Sequence, residues 1–266
     1  MLLINRLFLA MGWLCIGLST SALAEESTRL ERMAASNTLR VCIWPDYYSI
    51  TYRNPRSQEL SGIDIDNARD LAKALGVQVA FVDSSFAQLV QDVISDRCDL
   101  AMFAIGITPQ RQQYLRFTQP HLVSDVYAIT TRTNRRIQGW ADIDQAGSVV
   151  VVAKGTLHEP LMKARLKQAQ LLVVNTPAAR EQEVQAGRAD VFMTDYPFSR
   201  RMLQQNDWAR LVAPTETYHL TPYAWAMKPG DDAFHSRVEK ELAAMKADGR
   251  LLNNAKRHGL EPIVAR

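Results

Sequence analysis

What most constrains this chain is an alternation of strand and helix patterns that runs through once and then starts again. Leu39-Arg40-Val41-Cys42-Ile43-Trp44 reads as a strand ending at Pro45. From Asp66 the apolar positions Ala68, Leu71, Ala72 and Leu75 fall at i, i+3, i+4 and i+7, a helix that Gly76 stops. Val77 to Val82 predicts a second strand, Leu89, Val90, Val93 and Ile94 a second helix, and Asp99 to Ala104 a third strand. After a polar stretch from Thr131 to Gln145 the order repeats: a strand over 149–153, the Gly155-Thr156 turn, a helix with Leu161, Met162 and Leu166, a strand over 171–174, a helix over 178–186 and a strand over 190–194. A further extended segment at 223–227 precedes a charged amphipathic helix from about 231 to 246. Repeated β-α-β units call for mostly parallel sheets flanked by helices. Two such units plus an extra segment predict an α/β fold in two lobes joined by two hinge crossovers. One lobe would hold 25–127 with 222–266 and the other 128–221. In open α/β sheets ligands sit beyond the carboxyl ends of strands, which puts a ligand in the cleft between the lobes.

The N-terminus sets the compartment. Arg6, the apolar run from Leu7 to about Leu18 and Ala22-Leu23-Ala24 read as a secretory signal peptide over 1–24, cut after Ala24. The run is shorter than the roughly 20 apolar residues of a membrane span, and Leu14 before Cys15 argues against a lipid anchor. Cleavage would leave a chain with the length of one large domain or two of about 100 to 150 residues. The formal net charge of +3 falls by one with Arg6, far from the clustered basicity of nucleic-acid binding. Arg132, Arg135 and Arg136 read as a solvated loop. An oxidising compartment would permit Cys42 and Cys98 to pair, but Cys42 stands inside a strand-like run and Cys98 before one. Two buried small hydrophobic side chains are the preferred reading.

Four stretches resemble a known family: Leu39-Arg40-Val41 with Tyr47; Ser61-Gly62-Ile63-Asp64-Ile65-Asp66; Gly106-Ile107-Thr108-Pro109-Gln110-Arg111 with Phe117-Thr118; and Lys154-Gly155-Thr156 followed by Gly187-Arg188-Ala189-Asp190. With Asp248-Gly249-Arg250-Leu251 near the end, they resemble the bacterial extracellular solute-binding proteins of family 3, the amino-acid receptors of ABC importers. The resemblance implies a type II two-lobed fold, a periplasmic location, a monomer, no cofactor, and two partners: a small amino acid or organic acid and the permease in the inner membrane. It also implies that Arg111 pairs with the ligand carboxylate, a match in shape because a guanidinium offers a planar fork that stays charged when desolvated. Gly106 and Thr108 would complete that shell, with Ala104 beside them. Asp195 would receive the ligand ammonium, and it also reads as the N-cap of a helix starting near Pro197. Tyr47 and Phe86 would wall the ligand side chain. Thr156 and Leu157 would follow the Gly155 turn, whose backbone N–H groups could meet an anion.

Other residues are set aside. Asp64 and Asp66 read as capping or structural carboxylates, His121 and His158 as structural or surface histidines. No His-Cys cluster at ligand spacing implies a metal. Leu157, His158 and Gln119-Pro120-His121 depart from the family's usual run, and Trp44 stands where relatives selecting cationic side chains carry an acid. Two functions remain besides the receptor, which is the reading preferred and is not an enzyme. The family resembles the periplasmic cyclohexadienyl dehydratases, whose reaction needs a positioned proton donor, and none follows Asp195 in Tyr196-Pro197-Phe198-Ser199. An accessory receptor for a non-amino-acid organic acid is the other.

Overall fold

The computed structural model describes residues 28–265; the signal-peptide reading over 1–24 lies outside them. From the N-terminus the chain forms α1 (Arg29–Ser36), β1 (Thr38–Ile43), a small antiparallel sheet of β2 (Asp46–Tyr47), β3 (Thr51–Arg53) and β4 (Leu60–Ser61), α2 (Ile63–Leu75), β5 (Gln78–Asp83), α3 (Leu89–Ile94), β6 (Leu100–Gly106), α4 (Pro109–Gln112), β7 (Arg116–Phe117) and β8 (Leu122–Ser124). It continues through β9 (Val126–Thr131), β10 (Val149–Ala153), α5 (His158–Arg165), β11 (Gln170–Val174), α6 (Pro177–Gln185), β12 (Val191–Asp195), α7 (Tyr196–Gln205) and β13 (Ala209–Val212), and ends with β14 (Thr221–Met227), α8 (Asp232–Ala247) and α9 (Arg250–Arg257).

These elements build two lobes. In the first, the sheet order is β5-β1-β6-β14-β7, with β8 also on β14. β1 runs parallel to β5 and β6, and β14 runs antiparallel to β6. In the second, the order is β11-β10-β12-β9-β13; β10 is parallel to both neighbours, while β9 and β13 are antiparallel. Every residue of β6 is buried, as a strand covered on both faces requires. The chain passes from the first sheet to the second between Ser124 and Val126 and returns between Val212 and Thr221, against the 127/128 and 221/222 divisions read from the sequence. Asp125 joins the two passages: its carboxylate accepts from the amides of Val126 (2.7 Å), Tyr218 (2.9 Å) and His219 (2.7 Å).

Two sequence expectations change. The helix predicted from Asp66 begins a turn earlier, at Ile63, because Asp64 is drawn fully inside, where its carboxylate accepts from the Ala104 amide (2.8 Å) and the Trp225 indole (3.0 Å). Gly62, just before it, brings its α-carbon so near the Ile50 carbonyl that a β-carbon would sit 2.2 Å from that oxygen. Cys42 and Cys98, read as two buried thiols, form a disulfide with Cα atoms 5.6 Å apart. Pairing of β1 with β6 sets Cys42 beside Ala101 and so brings Cys98, just before β6, within bonding reach. Among the described residues no helix is long and apolar enough to cross a membrane, and no group of three or more His, Cys, Asp or Glu could hold a metal ion.

Candidate functional site

The carboxyl ends of the strands of both lobes face one another across a cleft. Trp44 and Tyr47 follow β1, Phe86 follows β5 and Ala104 belongs to β6; opposite them stand Thr156, Leu157 and His158 after β10, and Thr194 and Asp195 at the end of β12. Arg180 of α6 and Phe198 of α7 complete the wall. The space enclosed is about 30 Å³, room for a water or two rather than an amino acid. Aromatic edges pack the first lobe's side: Trp44 against Tyr47 (5.1 Å between centroids), Trp44 against Phe86 (5.3 Å) and Phe86 against Phe103 (5.0 Å).

Arg111 is placed by its own short helix. Thr108 caps α4 by accepting the Arg111 amide at 3.3 Å, and Pro109 fixes the first helical φ. The guanidinium then reaches across the lobes: Nη1 donates to the Gly106 carbonyl (2.9 Å) and Nη2 to the Gly155 carbonyl of the second lobe (3.1 Å). It lies 5.3 Å from the Phe86 ring. Burial pushes it down to about 10, against the partial opposition of Tyr223 and Tyr47. Arg111, Gly106 and Thr108 stand behind the cavity wall rather than on it.

Asp195 ends β12 and caps α7, accepting from the Phe198 amide at 3.2 Å. Its other oxygen accepts from the Tyr47 hydroxyl and from the Tyr223 hydroxyl (2.9 Å), both on the first lobe. Burial raises its carboxyl above the usual range, although the tyrosine hydroxyls, the Phe198 amide and Arg180 pull the other way. Both tyrosines are driven well above their ordinary values by burial and by Asp195. Arg111 and Asp195 thus come from opposite lobes, each already bonded across the cleft to the other half of the molecule.

Close approach at Gly155 makes this contact possible. Its φ is +77°, and a β-carbon there would lie 2.6 Å from the backbone of Ala87. The free N–H groups expected at Gly155-Thr156 are taken locally: the Gly155 amide donates to Glu159 (2.7 Å), and the Thr156 amide (3.3 Å) and hydroxyl (2.7 Å) to Ala153. Ala104 adopts a left-handed φ of +47°, which costs about 1 to 3 kcal/mol and is held by Asp64. Burial would raise the Asp64 carboxyl, but His121, the Ala104 amide and Trp225 together keep it below the usual range. His121, fully buried with Nε2 3.0 Å from Asp64, gives the unusual Gln119-Pro120-His121 run a structural role.

Four wall residues escaped the sequence reading of the site. His158, read as a structural or surface histidine, is buried on the wall, and burial, then Arg180, lowers its imidazole to about 3, so it is neutral. Thr194 and Phe198 flank Asp195 in sequence and could have been found from it. Arg180 sits four residues before the buried Val184, on the inner face of α6, and that spacing was its one signal.

The family model of the bacterial extracellular solute-binding proteins, family 3, matches residues 39–261. A cyclohexadienyl dehydratase of Pseudomonas aeruginosa is 32% identical over 93% of this chain and 92% of its own length. The L-cystine-binding protein of Escherichia coli is 23% identical over 90% and 88% of the two chains. Among solved structures, an ancestral amino-acid-binding protein described as a precursor of cyclohexadienyl dehydratase has 27% identity and a TM-score of 0.79, covering 86% of this chain and 98% of its own.

Proposed function

Because this chain belongs to the bacterial extracellular solute-binding proteins, family 3, we propose that it captures an amino acid or similar small carboxylate between its lobes and delivers it to an ABC importer. The observation that carries this reading is the Arg111 guanidinium, buried at the cleft with two carbonyls and no carboxylate for company among the described residues. Burying an unpaired cation is expensive, and a ligand carboxylate would replace two neutral acceptors with a bidentate ionic one. The lobes part to admit the ligand and close on it, since it binds the closed form better. Asp195 would then take an ammonium in exchange for one of its tyrosine hydroxyls. Residues 1–24 would direct export to the periplasm, and the Cys42–Cys98 bond fits an oxidising compartment. The lobes in this reading are 25–127 with 222–266, and 128–221; the strands change sheet near both divisions.

Calorimetry on two variants tests the site. Truncating one member of a buried charge pair costs about 2 to 5 kcal/mol, so Arg111→Ala should lose thirtyfold or more in affinity. Arg136→Ala, on an exposed side chain 3.7 Å from Asp190, should be unchanged. Equal affinities would remove Arg111 from the site.

A dehydratase is the second reading, favoured by the 32% identical relative. An elimination needs a proton donor poised near the working pH. His158 at about 3 is too acidic when protonated, and Phe198 lies where α7 begins against the cavity. Incubation with prephenate or arogenate should give no aromatic product; its appearance would establish the enzyme.

A further inference from the structure

The cleft holds one more buried cation than the receptor reading uses. Arg180 is 3% exposed and borders the cavity. Its guanidinium lies between two rings, 4.4 Å from Phe192 and 4.6 Å from Phe198, and its Nη1 donates to the Met193 carbonyl at 2.7 Å. Nε is buried without a partner. Burial lowers this group to about 10, as it does Arg111. The charged groups around it are Asp195 at the end of β12 and Glu181 on its own helix, with the Tyr47 hydroxyl opposite. Glu181 is held above its usual range by burial and lies beside Asp46, off the cavity wall. Asp195, the one carboxylate on that wall among the described residues, is engaged by two hydroxyls and an amide. His158 stays neutral between the two arginines. Among the described residues, neither Arg111 nor Arg180 has a carboxylate within ion-pair distance.

On the cavity side two buried guanidinium groups face one carboxylate that is already occupied, while Glu181, the nearest counter-charge to Arg180, sits on its own helix off the wall. A cationic ligand would be repelled there, and a simple zwitterion would satisfy only one of the pair. We propose that the cleft selects a small dicarboxylate, with Arg111 taking one carboxylate and Arg180 the other; this names the ligand class of the receptor site and rests on that reading. Asp195 then decides between an acidic amino acid, whose ammonium it would accept, and a plain diacid.

The test is calorimetric titration of the mature protein with L-glutamate, L-glutamine, L-aspartate, L-asparagine, L-arginine, succinate and glutarate, alongside the remaining common amino acids. At least one diacid should bind tenfold or more tighter than its neutral amide counterpart, and Arg180→Gln should shrink that ratio to within twofold. Glutamate against glutarate separates the amino diacid from the plain one. Equal binding of acid and amide, or preference for arginine or a neutral amino acid, overturns the dicarboxylate proposal and leaves the receptor reading intact. Silence across the whole panel overturns both. If Arg180→Gln has no cooperative melt, the acid-to-amide ratio of the unaltered protein decides alone.

Discussion

Removing the bond between Cys42 and Cys98 should destabilise the first lobe by an amount that the loop it closes sets. The two cysteines are 56 residues apart in sequence, and both side chains are fully buried. In the chain-entropy treatment a crosslink of that span restricts the unfolded chain by about 4 kcal/mol at 25 °C. Whole domains are stable by only about 5 to 15 kcal/mol, so the loss is a large fraction of the total. The double variant Cys42→Ala, Cys98→Ala, unfolded in guanidinium chloride beside the oxidised protein, should show a midpoint lower by about 0.7 to 2 M. The change should appear in signals from the first lobe, where Trp44 and Trp225 report, before those of the second. Coincident transitions for the two proteins, or two titratable thiols in the native protein without reductant, would refute the reasoning.

Gly155→Ala places a β-carbon against the Ala87 backbone, so it should hold the lobes apart. Small-angle scattering should give a larger radius of gyration and calorimetry a weaker ligand, with each lobe still folded; an unchanged radius would show that the close approach is not needed. His158 predicts a pH dependence with a definite sign. Its folded value near 3 lies below the ordinary 6.5, so the unfolded chain binds the extra proton. Stability present above pH 6.5 is therefore lost on acidification, by up to about 1.4 kcal/mol per unit. Melts between pH 7 and 5 should fall faster for the unaltered protein than for His158→Phe, and parallel curves would place the imidazole in solvent.

How much of the molecule was legible depends on the range of the interactions. The strands β1, β5, β6, β10, β11 and β12 are local apolar patterns that the sequence marks within a residue or two, and the helices between them are marked as closely except for the start of α2, a turn earlier than read. β9 and β13 were not legible, because β9 pairs antiparallel with β12 and β13 across more than 60 residues of sequence. The disulfide was missed for the same reason: it depends on β1 and β6 lying side by side. Tyr47, Phe86, Ala104, Thr156, Leu157 and Asp195 could be placed on the wall because the family resemblance marks them and each falls at or just after a strand. Arg180 could not, since a single arginine on a charged helix looks like a solvated one until the helix is docked. Nor could any local pattern reveal that Asp195 meets two tyrosines, one of them from the strand that returns to the first lobe.

Asp125 has a mechanical consequence. One carboxylate fastens both strands of the connection, so sliding the two chain passages past each other costs its bonds to Tyr218 and His219. Any rearrangement that separated the passages would have to give up the bonds to Tyr218 and His219, so the crossing stays tied at Asp125 for as long as they hold.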